Sequence, residues 1–223
     1  SNPAFKKLLP NLADAWKWSY PEDRWDVQEA TLALNNVRRW SDDLSSGPDR
    51  MTGGEWRLEG PTNIGGRFNF IRQHPTETNR FFAGASAGGL WTDPGDGEWV
   101  TLTDDIPHFA MGDLAFHPLN EDRLFLATGD PQISSFPRIG GGVYRSLNGG
   151  STWENVGLDT LGVISRLLIL PDSPNTIFAA CMGNPAIPGP ARGLFRSNEN
   201  GQNWEQVLLP HDSAGVTDLA YAP

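Results

Sequence analysis

Gly141-Gly142-Val143-Tyr144-Arg145-Ser146-Leu147-Asn148-Gly149-Gly150-Ser151-Thr152-Trp153 is one of three stretches that repeat a single pattern at a spacing of just over fifty residues. Gly88-Gly89-Leu90-Trp91-Thr92 leads to Trp99, and Gly193-Leu194-Phe195-Arg196-Ser197 leads to Trp204. In each copy the closing Trp follows a Ser or Thr by seven residues. A period near fifty built from short β patterns marks a propeller blade or a similar array, because one such unit cannot bury its own apolar face.

Working outward, each unit can be written as four strands, a to d. Strand a ends in an apolar-to-Pro step: Ile71 to Pro75, Leu114 to Pro118, Leu167 to Pro171. A polar turn follows, then strand b at Arg80 to Ala83, Arg123 to Ala127 and Thr176 to Ala180. Strand c is the Gly-aromatic segment, and strand d opens at the Trp. This predicts blades over 60–102, 103–156 and 157–208, with 209–223 starting a further one. Trp56-Arg57-Leu58 matches the strand-d openings but precedes any strand a, b or c of its own. Residues 55–59 are therefore expected to close a ring as the outer strand of its last blade. Rings usually have about four to eight blades, so the chain is expected to be the N-terminal part of a larger propeller. The predicted class is all-β, four-stranded antiparallel blades, with a short α-helical prefix.

The prefix, residues 1–50 with its linker, precedes the propeller segment 51–223. Ser19-Tyr20-Pro21-Glu22 has capping-box spacing, and Ala30, Ala33, Val37, Trp40 and Leu44 recur at helical spacing, predicting an amphipathic helix over 20–44. A shorter helix is expected within 3–18. Trp16, Trp18 and Trp25 need an apolar surface, either the propeller flank or a partner protein.

Composition narrows the function. The formal net charge is −10, from 17 Lys+Arg and 27 Asp+Glu, with no basic block. That argues against nucleic acid or an anionic membrane surface as the main partner. No stretch approaches the roughly 18 apolar residues of a membrane span. Cys181, the single cysteine, sits in Ile177-Phe178-Ala179-Ala180-Cys181 and reads as a small buried hydrophobe. His108 and His211 show no metal-ligand spacing, and no phosphate- or dinucleotide-binding run stands out. No metal or cofactor is expected.

Ser146 to Trp153 fits the pattern S/T-x-D/N-x-G-x-T/S-W, the Asp box. Its logic is local: the Ser146 and Asn148 side chains bond turn backbone, Gly150 supplies positive φ, and Trp153 plugs between sheets, with Thr152 completing the pattern. A weakened copy keeps Ser197, Gly201 and Trp204. The motif is structural and names no catalytic residue. Strand alternation places the a–b and c–d turns on one face. The d–a and b–c loops fall on the other, where a ligand funnel would open. Candidate ligand residues there are Arg67, Asp104, Asp130, Arg138 and Arg192. Arg67 begins a strand beside the channel and could bind a carboxylate or pair with Asp104 or Asp130. Asp130 could meet a ligand or cap its own turn. The Pro-rich b–c loops, 131–138 and 184–192, are preorganised for contact with a partner.

Trp56 to Arg67, with Ile71 to Pro75 and Gly84 to Trp91, resembles the opening blade of sortilin-like, BNR/Asp-box propellers of secreted or surface proteins of Bacteroidota-type bacteria. The resemblance covers 56–223 and implies export or a cell-surface location, within a larger surface or secretion complex. More distantly, the blades are similar to xyloglucan-cleaving glycoside hydrolases, which pair tandem propellers and use two Asp residues. That resemblance implies a carboxylate just before the Gly-Gly-aromatic strand, where this chain carries Ser86. A hydroxyl cannot act there as acid or base at neutral pH. Sialidases use an arginine cluster, for which Arg67 is the lone first-blade candidate. The reading is a non-catalytic binding or scaffold module contacting a protein or glycan through its loop face. One alternative is a xyloglucanase- or sialidase-like hydrolase whose carboxylates lie in further blades. The other is a structural subunit docked through the Trp-rich helices.

Overall fold

The computed structural model describes residues 66–132, 138–185 and 188–222. The expected helical prefix with Trp16, Trp18 and Trp25, and the expected closing strand at 55–59, lie outside the described residues. Twelve strands are described, in three four-stranded antiparallel sheets with no helix among them. The first sheet is β1 (Phe68–Gln73), β2 (Phe81–Ala85), β3 (Leu90–Asp93) and β4 (Val100–Thr101). The second is β5 (Met111–His117), β6 (Asn120–Thr128), β7 (Val143–Ser146) and β8 (Glu154–Asn155). The third is β9 (Val163–Leu170), β10 (Ser173–Gly183), β11 (Gly193–Ser197) and β12 (Glu205–Leu208). Each is a meander whose spatial order is its chain order.

The period-2 rule of a pleated strand explains why the sheets stack. In β6, Leu124 and Leu126 point into a core shared with Phe70, Phe82 and Leu90 of the first sheet. Phe125 and Ala127 point the other way, into a core shared with Ile164, Leu167 and Ile177 of the third. All four are fully buried. At roughly 1.5–3 kcal/mol for each large side chain removed from water, these two seams dominate the stability of the stack. On the first sheet's other flank, Ile71 is 62% exposed and Trp99 is 44% exposed.

The closing tryptophans explain the repeat spacing. Trp153 packs on the first seam and donates its Nε1–H to the Leu102 carbonyl at 2.9 Å. Trp204 packs on the second and donates to the Val156 carbonyl at 2.8 Å. Both acceptors lie three residues beyond the previous blade's Trp. For Trp99 the same step leads to Glu59, outside the described residues. Strand d begins one residue after each Trp, not at it, because the indole turns out of the ladder toward the preceding blade.

The turns before these tryptophans follow the expected local logic. Ser146 Oγ accepts from the N–H of Gly150 at 2.9 Å, and Ser197 Oγ accepts from Gly201 at 2.9 Å. Asn148 Oδ1 accepts from the Thr152 N–H at 2.9 Å. Gly150 sits at φ 94°, a conformation that favours glycine, and a Cβ there would make the end of the Leu102 side chain shift, approaching its Cδ1 to 2.9 Å. In the first blade Asp93 Oδ1 takes over, accepting from Gly95 at 2.8 Å and Gly97 at 3.0 Å. Among the described residues no helix is long and apolar enough to cross a membrane.

Candidate functional site

Arg67 enters just before β1, and its carbonyl accepts the Ser86 N–H at 2.9 Å where β2 has ended. That bond brings the start of strand a beside the b–c loop of the same blade. The Arg67 Nη2 donates to Ser86 Oγ at 3.0 Å and forms an ion pair with the buried carboxylate of Asp130, from the next blade's b–c loop. Asp130 Oδ1 also accepts the Gln132 N–H at 3.1 Å, so the carboxylate caps its own turn and holds Arg67. The open choice of partner for Arg67 therefore resolves to Asp130. Arg138 joins through its backbone, its carbonyl accepting the Asp130 N–H at 2.9 Å. Its guanidinium lies 5.7 Å from the centre of the half-exposed Phe109 ring.

Two candidates stand elsewhere. Asp104 accepts the Thr101 hydroxyl at 2.8 Å and lines a small hollow with Gly150 and Ser151, from a c–d turn of the opposite face. Arg192 is buried. It donates from Nε to the Gly189 carbonyl at 3.0 Å and from Nη2 to the Asn184 carbonyl at 3.1 Å, clasping the Pro-rich loop that contains it.

The inner strands carry charges that sequence reasoning missed. Asp113 of β5 pairs with Arg72 of β1 at 2.5 Å and with Arg166 of β9 at 3.6 Å. It also accepts the Leu167 N–H at 3.0 Å. Arg166 in turn pairs with Asp218, at 3.3 Å, in the segment that follows the third sheet. The signs thus alternate across four successive inner segments: Arg72, Asp113, Arg166, Asp218. Burial pushes the Asp113 carboxyl above its ordinary value, against the opposing pull of Arg72, the Leu167 N–H and Arg166. These residues border a polar cleft of about 350 Å³. The signal that would have found them is positional: Asp113, Arg166 and Asp218 each lie five residues before Pro118, Pro171 and Pro223.

No family model matches the chain. It is 28% identical over 178 residues to a xyloglucanase of Paenibacillus sp., covering 71% of this chain and 16% of that protein. A xyloglucanase of Acetivibrio thermocellus is 26% identical over 162 residues, 65% of this chain and 18% of its own length. A GH74 xyloglucanase structure from Xanthomonas campestris superposes with a TM-score of 0.50 at 26% identity, over 64% of this chain and 21% of that one. An ancestral GH74 enzyme gives 0.51 at 22% identity, covering 66% and 19%. The chain is a distant relative of the GH74 xyloglucanase propellers. It spans less than a fifth of the length of the xyloglucanase sequences it matches.

Proposed function

We propose that this chain is a glycan-binding propeller segment of an exported or cell-surface protein, and that its first-blade site binds without cleaving. The observation that carries this is Ser86. At the position where the xyloglucanase resemblance implies a carboxylate, this chain has a hydroxyl hydrogen-bonded to Arg67, whose charge is matched by buried Asp130. Glycoside hydrolysis needs two carboxylates flanking the bond, one of them free to give or take a proton. Asp130 is tied to Arg67 and to its own turn. The glycan class is supported by the distant likeness to xyloglucanases. The paired Ser-to-Gly turn bonds support the BNR/Asp-box, sortilin-like type. The exposed loop-face groups offered to a partner are Arg67 and Arg138.

The test uses the full-length protein with xyloglucan. Affinity electrophoresis reads binding, and reducing-end release reads cleavage. Binding without release is expected, with binding weakened by Arg138→Ala. Release of reducing ends abolished by Ser86→Ala or Asp130→Asn would overturn the non-catalytic reading of this site. Release that survives both substitutions would instead favour catalytic carboxylates in further blades, a reading supported by the likeness to xyloglucanases. Absence of xyloglucan binding would remove the glycan reading.

A further inference from the structure

We propose that the cleft between the inner strands is a second binding site, taking one neutral polyhydroxylated ring such as a single sugar unit. It adjoins the loop-face cluster, since the Gln132 that lines it bonds Asp130 through its N–H, but its ligand contacts are its own and either reading can fail without the other. The cleft's volume of about 350 Å³ lies at the small end of the roughly 300–1,000 Å³ of ligand pockets.

Its chemistry selects the ligand. The four charges bordering it, Arg72, Asp113, Arg166 and Asp218, sum to zero, so no net field favours an ionic ligand. Among the described residues no open aromatic face lines it, since Phe70 is buried in the first seam. A flat apolar ligand would have nothing to stack on. What the cleft offers is unmatched hydrogen-bonding capacity of both kinds. Asn69 donates from Nδ2 to the Met111 carbonyl at 2.8 Å, while its Oδ1 has no partner among the described residues and is shut off from solvent, so it accepts from a ligand only once the side chain turns outward. Arg166 makes its ion pairs through Nε, which leaves both terminal nitrogens without a hydrogen bond among the described residues. The Thr217 hydroxyl and the Gln132 amide also line the cleft. Acceptors and donors on several sides, with no net charge, match a ring of hydroxyls, each of which both donates and accepts.

The arrangement is built by the repeat. Asn69, Gly112, Ser165 and Thr217 each lie six residues before Pro75, Pro118, Pro171 or Pro223 in sequence, so the three sheets and the segment that follows them deliver the same rung to the cleft. At Gly112 a Cβ would sit 2.0 Å from the Ile164 carbonyl. There the two inner strands approach too closely for any side chain, and the rung is polar at the other three positions.

The experiment titrates the full-length protein with glucose, xylose and galactose, and with glucuronate and glucosamine as charged counterparts. Calorimetry and saturation-transfer NMR report binding. At least one neutral sugar is expected to bind in preference to its charged counterparts. The double variant Thr217→Val/Asp218→Asn should weaken it by about tenfold or more. Both side chains are exposed, so folding is spared; an unchanged melting curve checks this. Leu147→Ser, an exposed change on the opposite face, should leave sugar binding untouched. Xyloglucan binding, the readout of the loop-face reading, is followed on the same double variant and should persist. No neutral-sugar binding, binding undiminished in the double variant, or tighter binding of a charged sugar would each overturn the proposal. Parallel loss of sugar and polymer would merge the two sites and overturn their separation.

Discussion

Asp113 poses a question of sign that one pair of substitutions can answer. Its carboxylate is 3% exposed, yet its partners Arg72 and Arg166 are 30% and 40% exposed. Stranding a buried charge by removing its partner typically costs about 3–5 kcal/mol. Here the guanidiniums can rehydrate when the carboxylate goes, so that figure does not apply. Burial also outweighs their attraction, since the carboxyl is held above its ordinary value. Asp113→Asn keeps an oxygen for the Leu167 N–H and should therefore change stability by no more than about 1 kcal/mol at neutral pH. Asp113→Ala removes that acceptor as well, leaving a buried donor unpaired, and should cost about 1–3 kcal/mol beyond Asn.

The pH dependence sharpens the test. A carboxyl whose folded pKa is raised holds a proton in the native state that the unfolded chain has already released. Its stabilising contribution is full below the unfolded value of 3.8, falls as pH rises through the native value, and is flat above it. Urea unfolding of wild type and Asp113→Asn, from about pH 3 to about pH 8, gives a stability difference in which other titrations cancel. Wild type should gain on the variant as the solution is acidified. A difference that grows toward neutral pH would mean the ion pairs outweigh burial, and this reasoning would be wrong. Equal stabilities for Asn and Ala would show that the Leu167 bond contributes nothing.

Trp153→Phe and Trp204→Phe each delete one indole hydrogen bond in equivalent surroundings, so both should lose about 1 kcal/mol in urea unfolding. A loss at one site alone would break the equivalence of the blades. His108 is buried, and burial lowers its pKa from 6.5 to about 4. Below about pH 6.5 the unfolded chain takes up a proton that the native ring refuses, so stability falls down to about pH 4, by about 3 kcal/mol in all. His108→Gln should flatten that limb of the profile, and an unchanged slope would refute the assignment.

The parts of the fold legible in the sequence are those written locally. The Ser146 and Ser197 turns need only bonds that span four residues, so their residue types suffice to foretell them. The loop-face pair was half legible: Arg67 and Asp130 stood out singly, but they lie 63 residues apart and only the stacking of blades joins them. Asp104 lies in a d–a connection against the neighbour's c–d turn, a contact between blades that no local pattern announces. Arg192 stood out only as a candidate ligand residue of the loop face. A Pro-rich loop lacks N–H groups to tie itself down, and a buried guanidinium bonds its carbonyls instead. The inner charges stayed hidden because the alternation of Asp113, Arg166 and Asp218 appears only when the repeats are aligned on their prolines, and Arg72 lies two residues nearer its proline than that offset.

That alignment also separates what spaces the blades from what orders them. The apolar seams are interchangeable in kind: any two sheets of this pattern could press Leu and Phe together. Polar contacts at fixed offsets are not. Arg80, five residues after Pro75, reaches the Gly149 carbonyl of the next blade's turn at 3.5 Å, and Arg123, five after Pro118, reaches Asn200 Oδ1 at 3.4 Å. The third copy has Thr176 at that offset, and its hydroxyl contacts Asn198 Oδ1 within its own sheet at 3.4 Å. The two Arg clasps thus join the first sheet to the second and the second to the third, while the inner ladder continues to Asp218. A one-residue slip of an inner strand would swing its charge to the opposite face of the sheet and leave the neighbour's unpaired. The channel is thus where the order of blades is most strictly specified, and a ligand there would find donors and acceptors already fixed in place.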